Sequence, residues 1–246
     1  MKMSMVSLGC DKNTVDSEMM LCLMNDKGFE YTDIDEEAEI MIINTCGFIQ
    51  SAKEESINAI LEAARLKEEG ALKALIVTGC LAQRYKDEII KEIPEVDALL
   101  GTSSFDKIVE TVEDVLGGEI KNEFLDLDRL PSISNKRTNS TGGYYAYLKI
   151  AEGCNKNCTY CIIPSLRGNY RSYPMDDLIA QAKDLAAQGI KELILVAQET
   201  TLYGVDLYGE KSLPKLLKEL AKVEGIEWIR ILYCYPEEIT DELIEV

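Results

Sequence analysis

Short, nearly continuous apolar runs alternate with amphipathic stretches along most of the 246 residues. That alternation confines the chain to parallel sheets covered on both faces by helices. The runs at 3–8, 39–45, 73–78 and 97–100 predict strands, and the segments 14–26, 49–69, 81–92 and 105–116 predict helices, with helical spacing plain in Ile57, Ile60, Leu61 and Ala64. Residues 117–143 change character, with two glycine pairs, a proline and the polar run SNKRTNSTGG, and predict a linker with one short strand near 124–127. The alternation then restarts, with strands expected at 145–150, 192–197 and 228–233 and helices at 175–188, 213–223 and from 239 onward. The expected fold class is α/β: an N-terminal open parallel sheet domain over 1–120, a linker over 121–143, and a partial (βα) barrel over 144–246. Three parallel strands cannot close a barrel, so the second domain reads as incomplete.

Composition narrows the function. With 44 acidic against 26 basic residues the formal charge is -18, which repels a polynucleotide and attracts a basic protein, so direct nucleic-acid binding is not expected. No apolar run reaches the roughly 18 residues of a membrane span, and no leader pattern opens the chain, so a cytoplasmic protein is expected. There the eight cysteines are ligands or buried apolar residues rather than disulfides. The chain has no histidine, which excludes Ser-His-Asp and Cys-His catalysis and mixed Cys/His zinc sites within it.

Six cysteines form two triplets. Cys10, Cys46 and Cys80 lie about 35 residues apart in the turns SLGC, INTC and VTGC, each just past the carboxyl end of an expected strand. In an open parallel sheet these ends share one edge, where ligands bind, so the three thiols converge. The following helices point their positive ends toward the same edge, and Gly9, Gly47 and Gly79 permit close backbone approach. Three buried core cysteines would give the same sequence and remain an alternative. Cys22 falls about 12 Å along the first helix and reads as a core residue rather than a fourth ligand.

The second triplet, Cys154, Cys158 and Cys161, is a CxxxCxxC in EGCNKNCTYCIIPSLRG, directly after an expected strand, and so lies in the first βα loop of the second domain. Three thiolates suit a four-iron cluster that keeps one iron open for chemistry. A structural zinc site is the competing assignment; it needs a fourth ligand, for which Cys234 is available.

CxxxCxxC with Tyr160 before the last cysteine resembles the signature of the radical S-adenosylmethionine superfamily. The whole chain resembles its methylthiotransferase branch. SLGCDKNTVDSEMM at 7–20, IPSLRGNYRSYP at 163–174, AQETTLYGVD at 197–206 and ILYCYPEEIT at 231–240 are similar to the members that modify a ribosomal protein, more than to those that modify tRNA. The resemblance implies two [4Fe-4S] clusters, an auxiliary one on Cys10, Cys46 and Cys80 and one on Cys154, Cys158 and Cys161 that binds S-adenosylmethionine, both facing a shared cavity. It implies a methylthio group added to the β-carbon of an aspartate in ribosomal protein S12. One S-adenosylmethionine methylates a sulfur at the auxiliary cluster; a second yields a 5′-deoxyadenosyl radical that takes the β-hydrogen. Reduced flavodoxin or ferredoxin is the implied electron donor. In that branch the barrel continues through three more units into a C-terminal TRAM domain, so this chain is expected to be a shortened form.

Other residues carry two readings each. Gln198, Glu199, Thr200 and Thr201 either contact the amino group of S-adenosylmethionine or cap a turn. Arg167 and Arg171 meet a carboxylate of cofactor or substrate, or form ion pairs. Asp16, Ser17 and Glu18 favour a first helical turn whatever else they do. An electron carrier without radical chemistry is the remaining alternative, separable by its failure to release 5′-deoxyadenosine.

Overall fold

The computed structural model describes residues 1–70, 72–133 and 136–246. They form two compact units, Met1–Pro131 and Ser132–Val246. The first runs β1 (Lys2–Ser7), α1 (Asp11–Asp26), β2 (Glu30–Tyr31), β3 (Ile40–Thr45), α2 (Gln50–Glu68), β4 (Ala74–Gly79), α3 (Cys80–Glu92), β5 (Ala98–Leu100) and α4 (Ile108–Leu116). Its five strands are parallel in the order β2-β1-β3-β4-β5. The order reverses between β1 and β3, and such a switch point opens a crevice at the carboxyl edge of a doubly wound sheet.

Successive strand residues point to opposite faces, so an all-apolar strand feeds two cores. Met41 and Ile43 of β3, Leu75 and Val77 of β4 and Leu99 of β5 pack with Ile60, Ala63 and Ala64 of α2 and Leu81, Ala82 and Ile89 of α3. The opposite face is covered by α1 and α4, where Val15, Met19, Met20, Ile108 and Val112 are buried. Each such aliphatic side chain contributes about 1.5–3 kcal/mol on burial. The helix α3 is interrupted at Lys86, whose φ is 33°.

The stretch read as a linker is shared between the units. Glu123 bridges in parallel to Leu100, the Asn122 side chain accepts from Leu99 N at 2.9 Å, and Arg129 pairs with Asp106. Residues 121–131 thus extend the β5 side of the first unit through a single bridge at Glu123, and no strand forms at 124–127, where the sequence predicts one. Residues 134 and 135 of the same stretch lie outside the described residues.

The second unit runs β6 (Tyr145–Lys149), β7 (Ala151–Glu152), α5 (Ile163–Arg167), β8 (Arg171–Ser172), α6 (Met175–Ala187), β9 (Glu192–Val196), α7 (Val205–Tyr208), α8 (Leu213–Leu220), β10 (Trp228–Ile231) and α9 (Asp241–Glu245). Strands β10-β9-β6 form a parallel sheet with α6 and α8 as crossovers, which is the βα repeat the sequence implied. The short pair β7 and β8 is antiparallel, joining Ala151 to Ser172 and Glu152 to Arg171. It closes the base of the loop that carries CxxxCxxC. Among the described residues no helix is long and apolar enough to cross a membrane.

Candidate metal centres

The first centre stands on three turns at one sheet edge. Cys10 is the N-cap of α1, Cys46 follows the last residue of β3, and Cys80 is the first residue of α3. These strands are adjacent, with Ser7 registered on Asn44 and Thr45 on Gly79. Cys10 and Cys46 therefore flank the switch point, and Cys80 is next in line.

The turns touch. A Cβ added to Gly9 would lie 2.7 Å from Cys46 Cβ and 3.0 Å from its Sγ, and one added to Gly47 would lie 2.9 Å from the Cys80 carbonyl oxygen. Gly79, at φ 93°, has Asn44 Oδ1 2.4 Å from where its Cβ would stand. Only glycine fits there. Ser56 of α2 brackets Cys46, its hydroxyl accepting from the Cys46 N–H at 3.0 Å and donating to the Cys46 carbonyl at 3.1 Å. Arg84 of α3 donates to the Gly47 carbonyl at 3.1 Å. Cys46 and Cys80 are buried and Cys10 half-buried, whereas Cys22 is a buried residue of α1 itself.

The second centre is one loop. Cys154 N donates to the Gly168 carbonyl at 3.2 Å, Tyr170 N to Asn155 Oδ1 at 2.9 Å, and Cys161 N to the Cys158 carbonyl at 2.9 Å. Gly153, at φ 72°, lies so close to Asn169 that an added Cβ would be 2.0 Å from its carbonyl oxygen. All three cysteines are partly exposed, and Tyr160 between them is 88% exposed. Burial pushes the Cys154 thiol up; a backbone hydrogen bond from Lys156 opposes this, and the charges of Cys161, Glu199 and Cys158 add to it. A Cys154 thiolate disfavoured by burial is one that a cationic metal relieves.

Below this loop lies a buried ion triad. Glu152 is 2% exposed, pairs with the fully buried Lys149, and accepts from Arg167 Nη1 at 3.1 and 3.2 Å. Burial opposes ionisation of Glu152, yet the Lys149 and Arg167 charges prevail and hold its carboxyl down to about 2. Arg167 is thus engaged as an ion pair inside the unit. Arg171 donates to the carbonyls of Asn169 and Arg167.

At the end of β9, Glu199 accepts from Thr201 N at 3.1 Å and Tyr235 N at 3.4 Å, and the Thr200 hydroxyl donates to the Leu232 carbonyl at 2.8 Å. Glu199 and Thr200 therefore act as turn caps that tie the β9 and β10 edges. Gln198 Oε1 is buried without a hydrogen-bond partner at the same edge. In α1, Asp16, Ser17 and Glu18 are buried, and Ser17 Oγ bonds Ser7 Oγ at 2.8 Å. Cys234 Sγ contacts Thr200 Oγ1 at 3.4 Å.

Among the described residues no three Cys, Asp or Glu side chains converge as the ligands of one metal ion do. Thiolates of a four-iron cluster each take a different iron and need not share a point. The residues fit such a group by their donor chemistry and by the close glycine contacts of the turns. Arg167 is one of the arginines the sequence singles out, and its ion-pair reading holds, whereas Asn13, Asn44, Ser56, Lys149 and Glu152 are not singled out there. The polar end of β3, Asn44 and Thr45, was the one available cue.

Residues 2–101 match the uncharacterized protein family UPF0004, and residues 148–246 match the radical SAM superfamily. The chain is 64% identical over 246 residues to ribosomal protein uS12 methylthiotransferase RimO of Lachnoclostridium phytofermentans, aligning 100% of itself with 56% of that protein. It is 52% identical over 252 residues to RimO of Clostridioides difficile, aligning 100% with 55%. The chain spans just over half the length of these curated relatives. Among solved structures, the radical S-adenosylmethionine methyltransferase TsrM of Kitasatospora setae superposes with a TM-score of 0.67 at 13% identity, over 99% of this chain and 58% of that one, a likeness of fold. The first unit therefore carries a match to the UPF0004 family and the second a match to the radical SAM superfamily, and the chain as a whole is similar to the RimO methylthiotransferases.

Proposed function

We propose that this chain carries the cluster-binding portion of a radical S-adenosylmethionine methylthiotransferase that modifies an aspartate of ribosomal protein S12. Cys10, Cys46 and Cys80 hold an auxiliary [4Fe-4S] cluster, and Cys154, Cys158 and Cys161 hold the cluster that binds S-adenosylmethionine. The observation that carries the reading is the placement of three cysteines, far apart in sequence, on adjacent turns of one sheet edge at the switch point. When bound, the clusters and S-adenosylmethionine supply reductive bond cleavage and sulfur transfer. The chain's own residues supply orientation: Gly9, Gly47 and Gly79 let the first turns close up, Ser56 holds Cys46, and β7–β8 with Gly153 fixes the base of the second loop. Gln198 Oε1 offers an acceptor to an ammonium group at the β9 edge.

The formal charge of -18 favours a basic ribosomal protein over tRNA. Reduced flavodoxin or ferredoxin is the proposed electron donor. The test is anaerobic reconstitution with iron and sulfide, then turnover with S-adenosylmethionine and ribosomal protein S12, read by mass spectrometry. Cys158→Ala is expected to abolish release of 5′-deoxyadenosine. Cys46→Ala is expected to keep that release and lose the methylthio product. Reconstituted protein that is brown but releases no 5′-deoxyadenosine would make it an electron carrier, and colourless zinc protein would end the cluster reading.

A further inference from the structure

Beneath the first trio lies a buried polar frame, and its role rests on the reading of Cys10, Cys46 and Cys80 as cluster ligands. We infer that Asn13 is a positioning residue whose side-chain amide sets the separation of the Cys10 and Cys46 turns before iron arrives. Main-chain pairing of β1 with β3 ends at Ser7 and Asn44, with one further bond from Leu8 N to the Asn44 carbonyl at 2.9 Å. Past that point the turns leave the ladder, and Asn13 spans them. Its Nδ2 donates to the Leu8 carbonyl at 2.9 Å and to the Thr45 carbonyl at 3.0 Å, two residues before Cys10 and one before Cys46.

Both amide hydrogens are thereby used in one fully buried residue. Asn44 answers in the other direction, its Nδ2 donating to the Asn13 carbonyl at 2.9 Å and to Ser17 Oγ at 3.0 Å. Thr45 Oγ1 carries the frame to the third turn by donating to the Thr78 carbonyl at 2.5 Å. A Cβ on Gly9 would come within 3.4 Å of Asn13 Nδ2 as well as against Cys46, so the amide lies directly under the contact between the two turns. An amide that only satisfied stray carbonyls would matter to stability alone. One that spaces thiolates matters to the lifetime of what they hold.

The experiment uses the full chain with Cys154, Cys158 and Cys161 changed to alanine, so that only the first trio can bind iron. After anaerobic reconstitution, iron content and the visible absorbance of the cluster are followed during challenge with a chelator. Asn13→Ala is expected to shorten the cluster's lifetime at least fivefold and Asn13→Ser, which keeps one donor, to give an intermediate value. Met20→Ala, which opens the core beside the same helix without touching the frame, is the control for stability, compared at matched distance below each protein's melting temperature. A lifetime for Asn13→Ala equal to the parent's overturns the positioning role, as does an equal loss in Met20→Ala. A parent that takes up no iron removes the cluster reading itself, and the positioning role with it.

Discussion

Replacing Glu152 with glutamine leaves two cations, Lys149 and Arg167, buried without the charge that justifies them. A carboxyl held at about 2 instead of 4.5 corresponds to roughly 3 kcal/mol favouring its charged form in the folded state. Removal of one partner from a buried ion pair costs about 3–5 kcal/mol, so the two figures agree. The sign follows from the direction: a depressed carboxyl stabilises fully above its unfolded value near 4.5 and loses that contribution as pH falls toward 2. Glu152→Gln is therefore expected to lower the stability of the second unit by about 3–5 kcal/mol at neutral pH, with the gap to the parent narrowing below pH 4.5. The only tryptophan, Trp228, sits on β10 of this unit, so urea denaturation followed by its fluorescence reads the right transition. Adding Lys149→Met should recover part of the loss by removing one orphaned charge. A loss below about 1 kcal/mol, the size of an exposed pair, or a gap that stays constant through the acid range, would refute the reasoning.

Three further outcomes follow from the two centres. Gly79→Ala forces a side chain into a backbone region open essentially to glycine and against Asn44 and Thr45, at a cost of about 2–6 kcal/mol; far-UV circular dichroism melting should show it, and an unchanged midpoint would contradict the contact. Ser56→Ala removes the hydroxyl that makes two hydrogen bonds to the Cys46 backbone and should cost about 1–3 kcal/mol by chemical denaturation, and an unchanged stability would count against that bracket. Gly153→Ala should open the base of the cysteine loop, since an added Cβ would lie 2.0 Å from the Asn169 carbonyl; faster limited proteolysis between 153 and 170 would record it, and an unaltered cleavage rate would count against the clamp.

The strands were legible because β3 and β4 are buried on both faces and so open as apolar runs, Ile40 to Ile43 and Ala74 to Val77. Helix starts were less so. The first helix was placed from Thr14, yet it begins at Asp11 with Cys10 as N-cap, a residue with no capping side-chain bond to announce it. Two-residue strands such as β2, β7 and β8 are too short to show a period. The cysteines could be read because their spacing repeats with the strands. Their supports could not: Asn13 meets Thr45 across 32 positions and Asn44 meets Asn13 across 31, partnerships that only the folded sheet creates. Glu152 and Lys149 are three apart, but nothing local says that their neighbourhood excludes water.

The two trios differ in what must exist before they can act. Cys154, Cys158 and Cys161 fall within a single short loop, so their proximity needs only local structure. Cys10, Cys46 and Cys80 become neighbours only when three strands have paired in register. On the proposed assignment, iron would meet the first trio only in a folded sheet, so uptake there would report on completed folding. The second trio, held within one loop, would ask less of the surrounding fold than the first.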